Sequence, residues 1–349
     1  MKNISRTKGR VRRAAVALAS SLMVLSALTA CGGGGGAAEA LSPENPQTVR
    51  VGVLNPMNSP EYIPVVARDK GFFAEEGINA ELVPVMDILT ATLAGDIDIS
   101  SMGIQATIAM SRGQDLKYLG TLFPRPTVAV LVPPNSPILE HKGDWRAVME
   151  SLRGKNLGVT VPGAVIDNLT RYMADKAGVV PDQDITIQAA GSASTLVANL
   201  ERGTYDAGVV PSPLFEKMLA RGTAVSVLDI YAGEGPEEFK TFPYASPSAT
   251  SRYLDRHPGV AEAYNRAIQK AIDWTKNPVN RPELLNILAK ATGNPPESLN
   301  AEIDTMIGVL DSASYTKSAW DTGAAVLGAN GIETSDLNYE DEVLPFARG

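Results

Sequence analysis

The pattern of apolar and polar positions runs through one order of elements twice. An apolar strand pattern over 49–53 is followed by a loop rich in Pro and Asn, and then by a helical pattern over 61–70 that ends at Gly71. About 105 residues later the chain repeats this order, with a strand over 156–160, a Gly-containing loop and a helix over 165–177. The pattern therefore predicts two units that are built in the same way.

Both units continue with a second strand, a short helix and a third strand. The second strands are predicted over 78–83 and 185–188. Gly95-Asp96-Ile97-Asp98 and Gly203-Thr204-Tyr205-Asp206 then lead into apolar runs typical of buried strands. Alternating strands and helices with short connections favour parallel, doubly wound sheets. We therefore expect an α/β fold with two doubly wound lobes. One larger α/β domain with a chance internal similarity is the alternative.

Two crossings are predicted between the lobes. Strand patterns over 118–123 and 127–132 flank Pro124-Arg125-Pro126, and the chain returns near 242–251. Two crossings form a hinge, and hinge closure around a ligand is a common two-state motion. The later helical patterns cover 259–276, 282–292, 296–310 and 317–330. The predicted boundaries are 48–126 for the first part of lobe 1, 127–250 for lobe 2, and 251–349 for a helical return that packs on lobe 1.

The first 30 residues have the form of a secretory leader. Basic residues precede an uncharged apolar run, and the run ends in Leu28-Thr29-Ala30-Cys31. This ending resembles the lipobox of bacterial lipoproteins, which implies cleavage before Cys31 and lipid attachment to that residue. An ordinary leader with a chance cysteine is the alternative. Residues 31–47 are rich in Gly, Ala and Pro and are predicted to be the anchor and a flexible linker. We expect a lipid-anchored protein on the extracytoplasmic face of the cell membrane.

The charged and reactive residues narrow the classes of function. Loss of residues 1–30 removes six of the 31 Lys and Arg and none of the 39 acids, which leaves a net charge of about −14. Such a chain is a poor partner for nucleic acid, because it has few cations to replace counterions. The two histidines, His141 and His257, lie far apart in sequence, which argues against a His-rich metal site or a Ser-His-Asp triad. We expect no cofactor, no metal and a monomeric protein.

The segment from Pro64 to Ile78, PVVARDKGFFAEEGI, resembles the region after the first helix in nitrate, sulfonate and taurine-type solute-binding proteins of ABC importers. The Gly95–Asp98 motif followed by Ser101-Met102-Gly103 is similar to the same family, as are Leu152-Arg153-Gly154-Lys155 and His257-Pro258. The resemblance extends over about 48–345. It implies a two-lobed periplasmic-binding-protein fold of class II that captures a small molecule and delivers it to a membrane permease, without catalysis.

Candidate ligand contacts come from four strand-end loops and the crossings. In open α/β sheets, ligands bind at the carboxyl ends of strands, near helix N-termini that favour anions. The candidates are Asn55, Asn58, Tyr62, Ser101, Met102, Gln105, Arg125, Gly163, Ala164, Val165, Pro211, Ser212 and Tyr244. Ser59 and Glu61 have the form of a helix cap, so either can be structural. The aromatic residues of the crossings can equally be hinge packing.

The four loops contain no Lys or Arg, and only Arg125 lies close to a crossing. The loops also contain apolar side chains, which suit a ligand with an apolar body better than they suit bare nitrate. These are Met57, Met86, Met102 and Ile104. A small organic anion, such as a sulfonate or carboxylate, is therefore the expected ligand. Alternatives are nitrate and a pyrimidine or thiamine precursor. Two alternative functions are more remote. One is an enzyme like the pyrimidine synthases of this superfamily, which carry a cysteine-rich motif, and the other is a sensory ectodomain.

Overall fold

The computed structural model describes residues 41–55 and 57–349. The predicted leader over 1–30, the proposed lipidation site Cys31 and the first part of the predicted linker lie outside these residues. Within the described ranges, no helix combines the length and the apolar character needed to cross a membrane.

The first sheet has five strands in the order β2-β1-β3-β10-β4. The strands are β1 (Gln47–Leu54), β2 (Ile78–Val85), β3 (Ile99–Ser101), β4 (Leu116–Tyr118) and β10 (Pro247–Thr250). β1 runs parallel to β2 and β3, with Val51 opposite Leu82 and Ile99, whereas β10 is antiparallel to β3 and β4. The helices between these strands are α1 (Tyr62–Asp69), α2 (Phe72–Glu75), α3 (Ile88–Ala94) and α4 (Ile104–Ser111).

The second sheet has five strands in the corresponding order, β7-β6-β8-β5-β9. The strands are β5 (Val128–Val132), β6 (Asn156–Val159), β7 (Thr186–Ala189), β8 (Ala207–Pro211) and β9 (Val225–Leu228). β6 is parallel to β7 and β8, and β5 is antiparallel to β8 and β9. The helices are α5 (Trp145–Ser151), α6 (Val165–Lys176), α7 (Ala193–Glu201) and α8 (Leu214–Arg221). We call the parts of the chain built on the two sheets lobe 1 and lobe 2.

The central strands show why the chain folds in this way. Every residue of β5 and of β8 is buried, because helices cover both faces of the second sheet. In β1 the inward-facing Val49, Val51 and Val53 are at most 3% exposed. The order β2-β1-β3 in lobe 1 corresponds to β7-β6-β8 in lobe 2, which is the duplication that the sequence predicts.

The first crossing differs in detail from its predicted strand. β4 begins at Leu116 and ends at Tyr118, before most of the predicted strand over 118–123. The chain then continues as an extended segment paired with the return crossing, where Leu122 N and Phe123 N both donate to Ala245 O. The paired crossings thus form the connection between the two sheets.

The C-terminal part of the chain is helical, as predicted. Its helices are α9 (Ser251–Arg256), α10 (Val260–Lys276), α11 (Arg281–Thr292), α12 (Asn300–Val309), α13 (Lys317–Ala329) and α14 (Tyr339–Glu342). α10 and α11 contact α1 and complete the core of lobe 1.

Helix α13 contacts both lobes, which differs from the expectation that the whole return packs on lobe 1. Its Trp320 joins a cluster with Tyr118 of β4, whereas Leu327 lies in the core of lobe 2. Asn330, just after the helix, donates from its side chain to the carbonyl of Asn168 at 3.0 Å. Seven residues of helix rise about 10 Å, so one helix is long enough to reach both cores.

The end of the predicted linker belongs to the folded lobe. Leu41 packs against the core of lobe 1, and the amide of Asn45 donates to the carbonyl of Ser42 at 3.1 Å. The amide of Gln47 donates to Gly77 O at 2.9 Å, and Gln47 is already the first residue of β1. The prediction of a flexible linker as far as residue 47 therefore fails for residues 41–47, because Leu41 adds apolar surface to the core.

A close backbone approach at Gly103 generates a stability prediction. Gly103 has φ +53°, and a Cβ there would lie 2.4 Å from Tyr244 O in the return crossing. Gly113 also has a positive φ, of +85°, but a Cβ there meets nothing within 4 Å. Gly113→Ala should destabilise by about 1–2 kcal/mol from backbone strain alone. Gly103→Ala should cost roughly 1–3 kcal/mol more, because the crossing must shift. Urea denaturation measures both, and equal losses would contradict this account.

A candidate ligand cleft between the lobes

Four strands, two in each lobe, end just before the loops that the sequence analysis predicts to hold the ligand. β1 and β3 end at Leu54 and Ser101 in lobe 1, and β6 and β8 end at Val159 and Pro211 in lobe 2. The loops that follow them carry most of the candidate residues. This is the position at which open α/β sheets bind ligands.

The loop after β1 is closed by a turn of 3₁₀-helix at Ser59–Glu61. The Asn58 amide donates to the Glu61 carboxylate at 2.9 Å, so Asn58 begins this turn one residue before the predicted cap. Ser59 is fully buried, and its hydroxyl lies 3.3 Å from the hydroxyl of Thr127, just before β5. This contact joins the two lobes. Asn55 is exposed, and its amide donates to Val85 O at 3.0 Å.

The loop after β3 presents one hydroxyl without a partner. The Ser100 hydroxyl lies 2.8 Å from that of Thr92 inside lobe 1. Ser101 faces the other side of the strand, and its buried hydroxyl oxygen makes no hydrogen bond. The amide of Met102 donates to Ser246 O, and the amide of Gln105 donates to Met102 O. Buried polar atoms are rarely left unpaired, so Ser101 is the strongest candidate ligand contact of this loop.

Two candidates of lobe 1 lie in the core instead of lining an open surface. Tyr62 is 1% exposed and Met102 is 2% exposed, and each belongs to an apolar cluster. Ile104, expected to suit an apolar ligand body, packs in the core of lobe 2 together with α13. Met86 is 81% exposed. The sequence placed these residues near strand ends correctly, but it did not show which way their side chains point.

The loop before α6 is held by the first turn of that helix. The amide of Gly163 donates to the Asp167 carboxylate at 2.7 Å, and the Asn168 side chain donates to the carbonyls of Gly163 and Ala164. Ala164 is the N-cap residue, and Val165 is the first residue of the helix. The Gly163 amide is thus already used, which leaves the later amides of the turn to favour an anion.

The loop after β8 connects lobe 2 to the crossings. The amide of Ser212, next to Pro211, donates to Thr127 O at 2.9 Å, and its hydroxyl donates to Glu216 Oε1 at 2.8 Å. Tyr244 in the return crossing donates its amide to Phe123 O, and its hydroxyl pairs with Thr127. Ser59, Thr127 and Tyr244 therefore form one hydroxyl cluster at the junction of the lobes, and Ser212 is joined to it through its backbone amide. Burial raises the pKa of Tyr244, so its hydroxyl stays protonated.

Arg125 lies apart from the strand-end loops. One guanidinium nitrogen donates to Gly308 O at 2.7 Å, which ties the first crossing to α12. Arg125 also lines a cavity of about 280 Å³ together with Lys240, Thr241 and Thr316. None of the other candidate residues lines this cavity.

Three buried glutamates lie around the hydroxyl cluster, and the sequence did not single out Glu216 or Glu302. Glu61, Glu216 and Glu302 are 5%, 7% and 1% exposed. Burial raises the pKa of Glu61 to about 8 and that of Glu302 to about 7, and it also raises the pKa of Glu216. Both missed residues lie on helices among ordinary surface charges, so the pattern alone gave no signal. Within the described ranges, no group of three or more His, Cys, Asp or Glu is arranged to hold a metal ion.

Residues 42–289 match a family described as the NMT1-like family. The nitrate/nitrite binding protein NrtA of Nostoc sp. is 24% identical over 242 residues, which cover 64% of this chain and 53% of that protein. The 4-amino-5-hydroxymethyl-2-methylpyrimidine phosphate synthase of Uromyces fabae is 32% identical over 164 residues, 45% of this chain and 44% of that enzyme. The chain spans about half the length of the curated relatives it matches.

Solved structures share the fold. The alkanesulfonate-binding protein SsuA from Xanthomonas axonopodis pv. citri, bound to MOPS, has a TM-score of 0.68 and 18% identity. The match covers 90% of this chain and 100% of that one. The predicted α/β architecture with two lobes and the resemblance to solute-binding proteins are therefore confirmed.

The adjacent serines of β3 allow a matched test of whether the Ser101 hydroxyl has a structural partner. Ser100→Ala removes a buried hydrogen bond and leaves Thr92 with one partner fewer, so it should destabilise by about 1 kcal/mol. Ser101→Ala removes no hydrogen bond, so the free energy of unfolding of the ligand-free protein should stay unchanged or rise slightly. Thermal and urea denaturation check both variants. A loss at Ser101 as large as at Ser100 would show that its hydroxyl has a structural partner.

Proposed function

Because the chain belongs to the NMT1-like family, we propose that it is the substrate-binding protein of an ABC importer. It captures a small organic anion, a sulfonate or a carboxylate, by closure of its two lobes. One observation carries the proposal: two sheets of corresponding strand order are joined by paired crossings, and the strand-end loops after β1, β3 and β8 meet at one junction. That arrangement can enclose a small molecule, and a hinge lets it release the molecule again.

The proposed contacts follow from the geometry of the loops. The orphan hydroxyl of Ser101 and the first turns of α4 and α6 supply hydrogen-bond donors for an anion. Gln105 and Val165 lie in these first turns, and both are partly exposed. Asn55, Asn58, Gly163, Ala164 and Pro211 complete the rim, while Ser212 and Tyr244 form the floor. Tyr62 and Met102 act from behind, by fixing the backbone of their loops.

The proposed ligand class rests on the side chains of the candidate loops and crossings, which include few charged groups and several hydroxyl groups. An alkanesulfonate-binding protein shares the fold over most of this chain, and relatives bear the names of nitrate and bicarbonate binders. The pyrimidine phosphate synthase relative favours a pyrimidine precursor as the second candidate ligand. Catalysis is not part of the proposal: the resemblance implies a cysteine-rich motif for the pyrimidine synthases of this superfamily, whereas this sequence has a single cysteine, Cys31.

The proposed setting is the outer face of the cell membrane. The leader over 1–30 and lipid attachment at Cys31 support anchoring, and a monomer delivers its ligand to a neighbouring permease. Substrate-binding proteins described as periplasmic share this fold.

A ligand screen tests the function directly. Sulfonates, carboxylates, nitrate, bicarbonate and pyrimidines are each added at high concentration, and the melting temperature is recorded. A compound present at 100 times its Kd should stabilise the protein by about 2.7 kcal/mol. Native mass spectrometry of the purified protein identifies any ligand that is retained. A panel in which no compound shifts the melting temperature would contradict the proposal.

Arg125 provides a test of the proposed anion. If it neutralises the ligand, Arg125→Ala should weaken binding of an anionic ligand more than tenfold, about 1.4 kcal/mol. The melting temperature should change little, because the variant loses one partly exposed hydrogen bond. Arg112→Ala, at an exposed position after α4, removes the same charge as a control. Unchanged affinity with a lower melting temperature would make Arg125 a hinge residue.

A further inference from the structure

Helix α12 forms a second contact between the lobes, on the side where α1 and α8 begin. Ile303, Met306 and Val309 anchor the helix in the core of lobe 1. The same helix contacts the turn at Ser59–Glu61 and the turn at Ile230–Ala232, which belongs to lobe 2. Its polar residues Glu302 and Thr305 therefore lie at a junction between the lobes.

Two carboxyl groups from opposite lobes lie within electrostatic reach of each other at this junction, and both act on Tyr62. Glu302 of α12 is 1% exposed, and neither of its carboxyl oxygens makes a hydrogen bond of normal geometry. Glu216 of α8 accepts from the Ser212 hydroxyl through Oε1, while its buried Oε2 has no hydrogen bond. Neither glutamate forms an ion pair in the described part of the chain. We call these two residues the carboxyl pair.

The groups around the carboxyl pair do not supply a sufficient countercharge. Tyr62 of α1 lies beside Glu302, and Thr305 of α12 lies beside Glu216. Glu61 faces the same region from the turn before α1, and Tyr231 faces Glu216 from lobe 2. Lys217 is the cation that acts on both glutamates, but it is only half-buried. An unpaired carboxylate is far too costly to bury in its ionised form, so such a group normally takes up a proton.

We propose that closure of the lobes takes up a proton at the carboxyl pair, so that ligand capture is coupled to protonation. Opening separates α12 from α8 and admits water to both carboxyl groups, which can then ionise. The proposal rests on the proposed function in one respect, namely that the lobes open and close around a ligand.

The sign of the coupling follows from the two states. In water a glutamate has a pKa near 4.5, whereas burial raises the pKa of Glu302 to about 7 and also raises that of Glu216. At a pH between these two pKa values, the closed state therefore holds a proton that the open state has released. Closure should be most favourable at acid pH. It should weaken by up to about tenfold per pH unit between about pH 5 and pH 7, and level off at higher pH. A neutral pair also avoids repelling an anion held at the hydroxyl cluster.

The test measures the distance between the lobes without any ligand. Met86 follows β2 and Val161 follows β6, and both side chains are exposed. Met86→Cys and Val161→Cys, in a Cys31→Ser background, accept spin labels whose separation is measured by pulsed electron resonance from pH 5 to pH 9. We expect short separations at pH 5 and a growing population of long separations up to about pH 7.

Isosteric variants connect the movement to the carboxyl pair. Glu216→Gln with Glu302→Gln keeps the shape but cannot ionise, so it should remain closed at every pH. Each single variant should shift the transition, and circular dichroism confirms that the variants fold. Glu297→Gln, at an exposed position just before α12, should behave as the parent. A separation independent of pH in the parent, or an unchanged transition in the double variant, overturns the proposal.

Two further measurements distinguish proton uptake from other causes of lobe movement. Exchange of sodium for potassium at constant ionic strength should change nothing, and a dependence on either ion would overturn the proton in favour of a metal cation. The distance measurement requires no ligand, so it is independent of the ligand screen. A pH-dependent separation combined with a failed screen would support the proton coupling and contradict the proposed function.

Discussion

Buried hydroxyl groups need partners, and at the junction of the two lobes some of these partners come from the opposite lobe. Ser59 of lobe 1 meets Thr127 of lobe 2, and Tyr244 of the return crossing reaches the same hydroxyl, whereas the Ser212 hydroxyl finds its partner, Glu216, within lobe 2. Each contact is modest alone, about 0.5–1.5 kcal/mol, but a buried group left without its partner loses more than the bond itself contributes. These contacts are few, but they therefore have a large effect on the relative position of the lobes.

The fold could be predicted from the sequence because it depends on local patterns. Apolar runs such as Val49–Val53 and glycine stops such as Gly71 determine the elements, and their repetition determines the two lobes. The position of α13 could not be predicted, since its apolar residues fit either core equally well until both cores exist. The attachment of Leu41 was missed for a similar reason, because one apolar residue in a Gly- and Pro-rich segment forms no periodic pattern.

The candidate site was predicted less completely than the fold. The strand-end rule predicts which loops hold the ligand, but it cannot distinguish Ser100 from Ser101, which differ in the face of β3 on which they lie. Tyr62 was expected at the ligand and lies in the core. Nothing in the sequence around Glu302 distinguishes it, because its importance comes from a residue 86 positions earlier in the chain, Glu216. Contacts of this kind arise only when distant segments meet.

Helix α13 has a mechanical consequence for any movement of the lobes. Its first half is fixed to lobe 1 through Trp320, and its second half is fixed to lobe 2 through Leu327. A rigid rod attached at both ends prevents the lobes from moving apart along its length. A movement that keeps both attachments is then a rotation about a line close to this helix, which would open the proposed cleft on the side away from α13.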